Sequence, residues 1–166
     1  MPPSENAYSS NRSGQLLTFV VATEEFGVDI LRVQEIRGWS RPMPLPRTPP
    51  YIKGVINIRG DIVPIADLRE RLGLASIVAG PTTVIVVVRV EHRGLERTMG
   101  FIVDAMSDVI SVADEAIKPP PDLAETAGVA GMTSGIALVD QRMITILDVD
   151  RVFPVPTQMV DADVAA

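Results

Sequence analysis

Short apolar runs alternate with polar, glycine- and proline-bearing breaks along nearly the whole chain, a pattern that predicts many short strands and few helices. Leu16 to Ala22 is a β-rich run and Thr23-Glu24-Glu25 a polar turn. Phe26 to Ile30 is a second strand, with Val28 and Ile30 on one face and Gly27 and Asp29 on the other. Leu31 to Ile36 has the spacing of a short helical turn, and the five prolines between Pro42 and Pro50 predict a rigid surface loop. Val55 to Ile58 and Ile62 to Ala66 flank Arg59-Gly60-Asp61, the tight turn of a hairpin. Asp67 stands at an N-cap with Glu70 three residues on, and Gly73 follows as a helix stop, so a very short helix is predicted there. Thr82 to Val90 and Met99 to Val103 are strands around a hydrophilic loop, Glu91 to Thr98. A short segment around Ala113 to Ile117 precedes Pro119-Pro120-Pro121. Gly135 to Val139 and Met143 to Leu147 form a last hairpin.

The two halves resemble each other in order. Phe26-Gly27-Val28, then Val33, Glu35 and Ile36, match Met99-Gly100-Phe101, then Met106, Asp108 and Val109. Ile62-Val63-Pro64-Ile65-Ala66-Asp67 matches Met143-Ile144-Thr145-Ile146-Leu147-Asp148, and spacing drifts only in loops, where insertions cost little. The expectation is an all-β chain of two similar subdomains, residues 15–80 and 81–155, meeting near Gly80-Pro81, with loose tails at 1–14 and 156–166.

Composition narrows the function. At 166 residues, 46% hydrophobic and 22% charged, the chain has the balance of a folded globular protein. A net charge of −6 and 4% aromatic residues argue against a nucleic-acid binder, which needs cations and stacking rings. Zero cysteine removes disulfides and thiolate ligands and fits a cytoplasmic setting. The first fourteen residues are polar, so no secretory signal is expected, and the apolar run Val84 to Val88 is too short to span a bilayer.

Catalytic chemistry is missing. The single histidine, His92, falls in a charged turn and reads as solvated. No phosphate loop, HExxH, GxSxG or GxGxxG occurs, and the adjacent pairs Glu24-Glu25 and Asp114-Glu115 read as solvated surface. No enzyme, metal or cofactor is expected. What stands out is charge segregation: from Arg32 to Arg59 six basic residues face one acid, Glu35. Such a face is either solvated or a docking surface whose charges set register.

Three blocks carry a family resemblance: Phe26 to Ile36; Pro46 to Gly60 running on through Ile62 to Arg69; and Gly100-Phe101-Ile102-Val103-Asp104 with Ser107-Asp108-Val109. Together they resemble the CheW coupling family over roughly residues 15–155. The resemblance implies two SH3-like five-stranded β-barrels packed on a shared core, with short helices. It also implies a non-catalytic adaptor that binds the cytoplasmic hairpin tip of chemoreceptors and the regulatory domain of the CheA histidine kinase, at membrane-associated arrays. Receptor binding in the family uses positions matched by Val33, Glu35, Gly54 and Arg59. The kinase face is expected in the second subdomain, through Gly100 and Met106. Related domains occur within CheA and in CheV proteins. With no kinase motif and no room after Pro156 for a receiver domain, a free-standing adaptor is expected. An adaptor of a twitching or surface-sensing array is one alternative, and a small nucleic-acid-binding barrel another.

Overall fold

The computed structural model describes residues 14–120 and 129–153. Apart from Gly14, both expected tails lie outside the described residues, as does Pro121. The described strands are β1 (Gln15–Val21), β2 (Glu24–Asp29), β3 (Val33–Gly38), β4 (Ile52–Ile58), β5 (Asp61–Asp67), β6 (Val84–His92), β7 (Leu95–Val103), β8 (Ala105–Ser111), β9 (Ile117–Lys118), β10 (Thr133–Val139) and β11 (Arg142–Leu147). Three four-residue helices, α1 (Leu68–Arg71), α2 (Val129–Met132) and α3 (Val149–Val152), complete them. The described segments contain no helix long and apolar enough to cross a membrane.

Two sheets form, with orders β8-β1-β2-β11-β10-β9 and β3-β6-β7-β5-β4. Leaving aside the two-residue β9, the orders are the same once each strand is replaced by its repeat partner. The correspondence extends to register. Gly27 of β2 lies beside Ile146 of β11 in a parallel pairing, as Gly100 of β7 lies beside Ile65 of β5. These are the residues that the sequence repeat aligns.

Gly80-Pro81 separates the two repeats but not the two sheets. The hairpin β1–β2 belongs to the first repeat, yet it sits between β8 and β11 of the second. Conversely, β6–β7 of the second repeat sits between β3 and β5 of the first. The halves have exchanged hairpins, and the chain crosses between sheets at Ile30–Arg32 and at Asp104.

Side-chain alternation sorts the apolar residues into three cores. Ile56, Ile58, Val63, Ile65, Ile85 and Val87 fill one barrel. Leu16, Val112, Ala137, Ile144 and Ile146 fill the other. Between them lies the largest core, where Phe19 and Phe26 of one sheet meet Phe101 of the other and Phe153. The centroid of Phe101 is 5.4 Å from that of Phe19 and 5.8 Å from that of Phe153. This explains the run Val84 to Val88: Ile85 and Val87 enter a barrel while Val86 and Val88 enter the shared core, so both faces of β6 are buried. The expected pair of barrels on a shared core is what forms.

Local readings fared unevenly. Leu31 to Ile36 is not a helical turn. A 3-10 turn occupies Ile30–Arg32, capped by the Asp29 carboxylate, and β3 begins at Val33 because the β6 edge takes it as a partner. Pairing of β6 with β7 continues to His92 opposite Leu95, leaving Arg93-Gly94 as the turn and shortening the expected loop Glu91 to Thr98. β8 carried no alternation strong enough to be anticipated. Asp67 does cap α1, accepting the Arg69 N–H at 2.9 Å, but Glu70 turns to Lys53 instead of closing a capping box.

Because each central hairpin is clasped on both sides by strands of the other half, neither half can complete a sheet alone. Fragments 1–80 and 81–166, expressed separately, are expected to show no cooperative thermal unfolding by circular dichroism. Co-expressed, they are expected to regain it. Cooperative melting of either fragment alone would refute the reading.

Candidate functional site

The edges of the second sheet, β3 and β4, face each other across an open cleft. Glu35, Arg37, Gly38, Trp39 and Ser40 line one side, with Asn57, Ile58 and Arg59 on the other. The β4–β5 turn delivers Arg59. Arg59 and Gly60 both hold positive φ, at 52° and 91°, as the twist of a two-residue hairpin requires, and Asn57 Oδ1 accepts the Gly60 N–H at 2.8 Å. A register shift between Val33 and Glu35 bends β3 toward the turn. Arg59 Nη2 then reaches Glu35 Oε2 at 3.6 Å while its side chain stays 81% exposed.

Of the four receptor positions expected from sequence, this brings together Glu35 and Arg59. Val33 is partly buried against the shared core. Gly54 is buried, and what approaches it is the chain's own backbone. Met43 and Val55 exchange two N–H···O bonds of 2.9 Å, laying the segment Met43-Pro44 over β4. A Cβ on Gly54, whose φ is +144°, would lie 2.0 Å from the Met43 carbonyl oxygen. The glycine is therefore demanded by this strap. Gly100 and Met106 do not come together. Gly100 is buried at the centre of the second sheet, where a Cβ would meet Ile65 Cδ1 at 2.7 Å. Met106 is half-buried on β8, an edge of the first sheet, opposite Phe19.

The repeat supplies a comparison within the molecule. Asp108 occupies the Glu35 position, and Arg142, the first residue of β11, stands just past the β10–β11 turn, whereas Arg59 lies within the β4–β5 turn; the repeat itself aligns Arg142 with Asp61. Here the arginine uses four of its five N–H donors. It donates to Asp108 Oδ1 at 3.0 Å and Oδ2 at 3.3 Å, and to both carboxylate oxygens of Glu25. Thr18 Oγ1 donates to Asp108 at 2.6 Å, and Ser107 Oγ to Glu25 at 3.1 Å. The Arg142 guanidinium holds the Glu25 and Asp108 carboxyls below their ordinary range, and they in turn raise its own pKa. Glu25 is thus an ion-pair partner, not the solvated residue that its neighbour Glu24 suggested. The sequence signal was the repeat alignment itself, which placed Asp108 opposite Glu35.

His92 is also engaged. Its Nε2 lies 2.5 Å from the Phe153 carbonyl oxygen and donates to it, tying the end of β6 to the end of α3. Sequence reading left it solvated because the residue it meets lies 61 positions away. Trp39 and Arg37 were likewise missed as lining residues, since they fall just before the proline-dense segment.

A family described as CheW-like domain matches residues 15–156. The chain is 40% identical over 147 residues to a chemotaxis protein CheW of Rhizobium meliloti (strain 1021), covering 87% of this chain and 90% of that one. It is 38% identical over 137 residues to a chemotaxis protein CheW of Klebsiella aerogenes, covering 82% and 80%. The crystal structure of the scaffolding protein TtCheW from Thermoanaerobacter tengcongensis superposes with a TM-score of 0.76 at 33% identity, covering 85% of this chain and 92% of that one.

Two predictions test this geometry. Gly54→Ala is expected to lose about 1–3 kcal/mol of stability by denaturant titration, because its Cβ must push the strap off β4. A wild-type midpoint would mean that the strap is not held there. For the Arg142 cluster, the depressed carboxyl pKa values mean that stabilisation is complete above the ordinary carboxylate range. It is lost as pH falls through that range and through the lowered folded values. The melting-temperature difference between wild type and Arg142→Met is therefore expected to be full at pH 7 and to shrink below about pH 4. A difference independent of pH would show that the cluster contributes nothing electrostatic.

Proposed function

Because the chain belongs to the CheW-like domain family, we propose that it docks a chemoreceptor through the Glu35–Arg59 cleft and the CheA-type kinase through a separate face. The chain is a non-catalytic adaptor of chemotaxis signalling, working with chemoreceptors and the CheA kinase. Signal passes as altered geometry between its two partners, with no bond made or broken in the adaptor. It works in the cytoplasm, at membrane-associated receptor arrays.

The contrast between two arginines near the tips of corresponding hairpins supports this assignment. Arg142 is engaged within the molecule, whereas Arg59 has one distant carboxylate and an exposed fork of donors. An exposed pair at 3.6 Å is worth little by itself, so Arg59 exchanges it for a partner's polar groups at small cost. Glu35 then orients Arg59 as well as offering a charge of its own. Val33 acts from behind, fixing β3 against the shared core, and Gly54 acts through the strap. For the kinase, Met106 lies on the accessible edge strand β8, and buried Gly100 supports the fold of the neighbouring sheet.

Arg59→Ala is expected to weaken binding of a receptor cytoplasmic fragment by about 1–3 kcal/mol, measured by calorimetry, with the melting temperature unchanged. Kinase regulatory-domain affinity is expected to stay at the wild-type value. Unchanged receptor affinity would remove Arg59 from the docking surface.

A further inference from the structure

β3 and β8 are the corresponding edge strands of the two sheets, and each carries one residue more than its neighbour. Between Val33 and Glu35 the chain advances two residues while β6 advances one, from Val88 to Val87. Between Met106 and Val109 it advances three while β1 advances two, from Phe19 to Leu17. Both are β-bulges, and the internal repeat sets Gln34 beside Ser107 as it sets Glu35 beside Asp108. The extra residue decides which way the acid faces. Val33 lies opposite Val88 of the shared core, and in a regular strand Glu35 would lie opposite Val86 and face that core too. With the bulge, Glu35 lies opposite Val87, on the barrel face, where Arg59 is within reach. Ile36 takes the place opposite Val86.

An edge strand has a neighbour on one side only, so its bulge needs another contact to fix it. In both halves that contact is a side-chain hydrogen bond across the intervening strand. Gln34 Nε2 donates to Thr98 Oγ1 of β7 at 3.2 Å, and Ser107 Oγ donates to Glu25 Oε2 of β2 at 3.1 Å. The two bonds are repeat equivalents at both ends, because aligning Phe26 with Met99 also aligns Glu25 with Thr98. The strands they join are two sheet spacings apart, about 10 Å, so one member of each pair has to be long. In the second half the long member is the acid, and it also takes Arg142. In the first half it is Gln34, and the residue it reaches is uncharged. The bulge is thus pinned without a second carboxylate, and Glu35 keeps the free side of Arg59 open.

We propose that Gln34 and Thr98 are positioning residues of the receptor cleft: their hydrogen bond pins the β3 bulge that turns Glu35 toward Arg59. The proposal rests on the receptor reading above and deepens it, since neither residue lines the cleft and both act through Glu35. Gln34 is exposed and Thr98 half-buried, and both lie outside the three cores. Losing their bond therefore loosens the bulge without emptying a core.

The test is calorimetric affinity of the full-length protein for a receptor cytoplasmic fragment, with melting temperature as the check on folding. Gln34→Leu and Thr98→Val remove the bond while keeping the bulk of each side chain. Each is expected to weaken receptor binding about fivefold, the size of one neutral hydrogen bond, and the double variant no more than either alone. Thr98→Ser, which keeps the hydroxyl, is expected to bind as wild type does. In a Glu35→Ala background no carboxylate is left to position, so Gln34→Leu is expected to cost nothing further. A merely structural role would lower the melting temperature and show neither the hydroxyl rescue nor the coupling to Glu35. Wild-type affinity in Gln34→Leu and Thr98→Val, with Glu35→Ala weakened, would overturn this proposal alone. A loss in Gln34→Leu that persists in full beside Glu35→Ala would mean that Gln34 does not act through Glu35, and the proposal fails. Wild-type affinity in both Glu35→Ala and Arg59→Ala would overturn the receptor reading, and this proposal with it.

Discussion

The exchange of hairpins between the two halves is the constraint on which the rest of the structure depends. β1–β2 and β6–β7 each form the centre of a sheet whose flanks come from the other half. Each therefore has no exposed edge of its own. The parallel pairings that join them to β11 and β5 are short, and both place a glycine where the backbones run side by side. At Gly100 a Cβ would intrude on Ile65 and Ile85, and at Gly27 it would crowd Ile144 at 3.2 Å. The crossovers between sheets are fastened by ion pairs of opposite polarity. Arg69 at α1 holds Asp104 at one crossover, and Asp150 at α3 holds Arg32 at the other. Each carboxylate also accepts an amide from near the end of an exchanged hairpin's first strand, Ala22 or Glu91. The same mechanical solution is reached twice with the charges reversed.

A fold so nearly two-fold symmetric presents different surfaces only where its two halves differ in residues. It does so with few residues. The two grooves between edge strands and second hairpins are equivalent in topology, and each holds an acid on the edge strand and an arginine near the hairpin tip, Arg59 within its turn and Arg142 just past it. In one, a second acid, Glu25, joins Asp108 on the arginine, and Thr18 and Ser107 donate to these two carboxylates, leaving the arginine 32% exposed. In the other, Arg59 is left with Glu35 alone at 3.6 Å. Arg142 is held by two carboxylates where Arg59 has one at 3.6 Å, so intramolecular electrostatics set the two grooves apart.

Much of this was legible in the sequence, and the remainder was hidden for identifiable reasons. The many short strands and the aligned segments around Gly27 and Gly100 already pointed to a duplicated all-β fold. Family resemblance reached the same two barrels. The hairpin exchange could not be read, because a repeat in sequence does not say which copy of a hairpin completes which sheet. β3 was misread as a helical turn because Leu31, Val33 and Ile36 have mixed spacing, and the decision falls to the β6 edge. Glu35 and Arg59, named together only through the family resemblance, lie 3.6 Å apart. The contact at Gly54 could not be read, since Met43 is eleven residues away across a proline-rich segment whose path no periodicity fixes. The Arg142 cluster was invisible for a similar reason: its members are 34 and 117 residues from the arginine.

The same strap bears on what kind of partner the open edge can accept. An unprotected edge strand invites another strand, by way of its free N–H and C=O groups. β4 does not offer that invitation along its length. Met43 already pairs with Val55, and prolines at 42, 44 and 46 leave the strap itself poor in donors. β3 carries Glu35 and Arg37 along its edge, charges of the kind that discourage strand addition. With backbone pairing occupied at Val55 of β4 and discouraged at β3, the cleft presents side chains, an exposed guanidinium and a tryptophan ring among them. These read the surface of a helix, whose backbone is satisfied internally, far better than they could hold an extended strand.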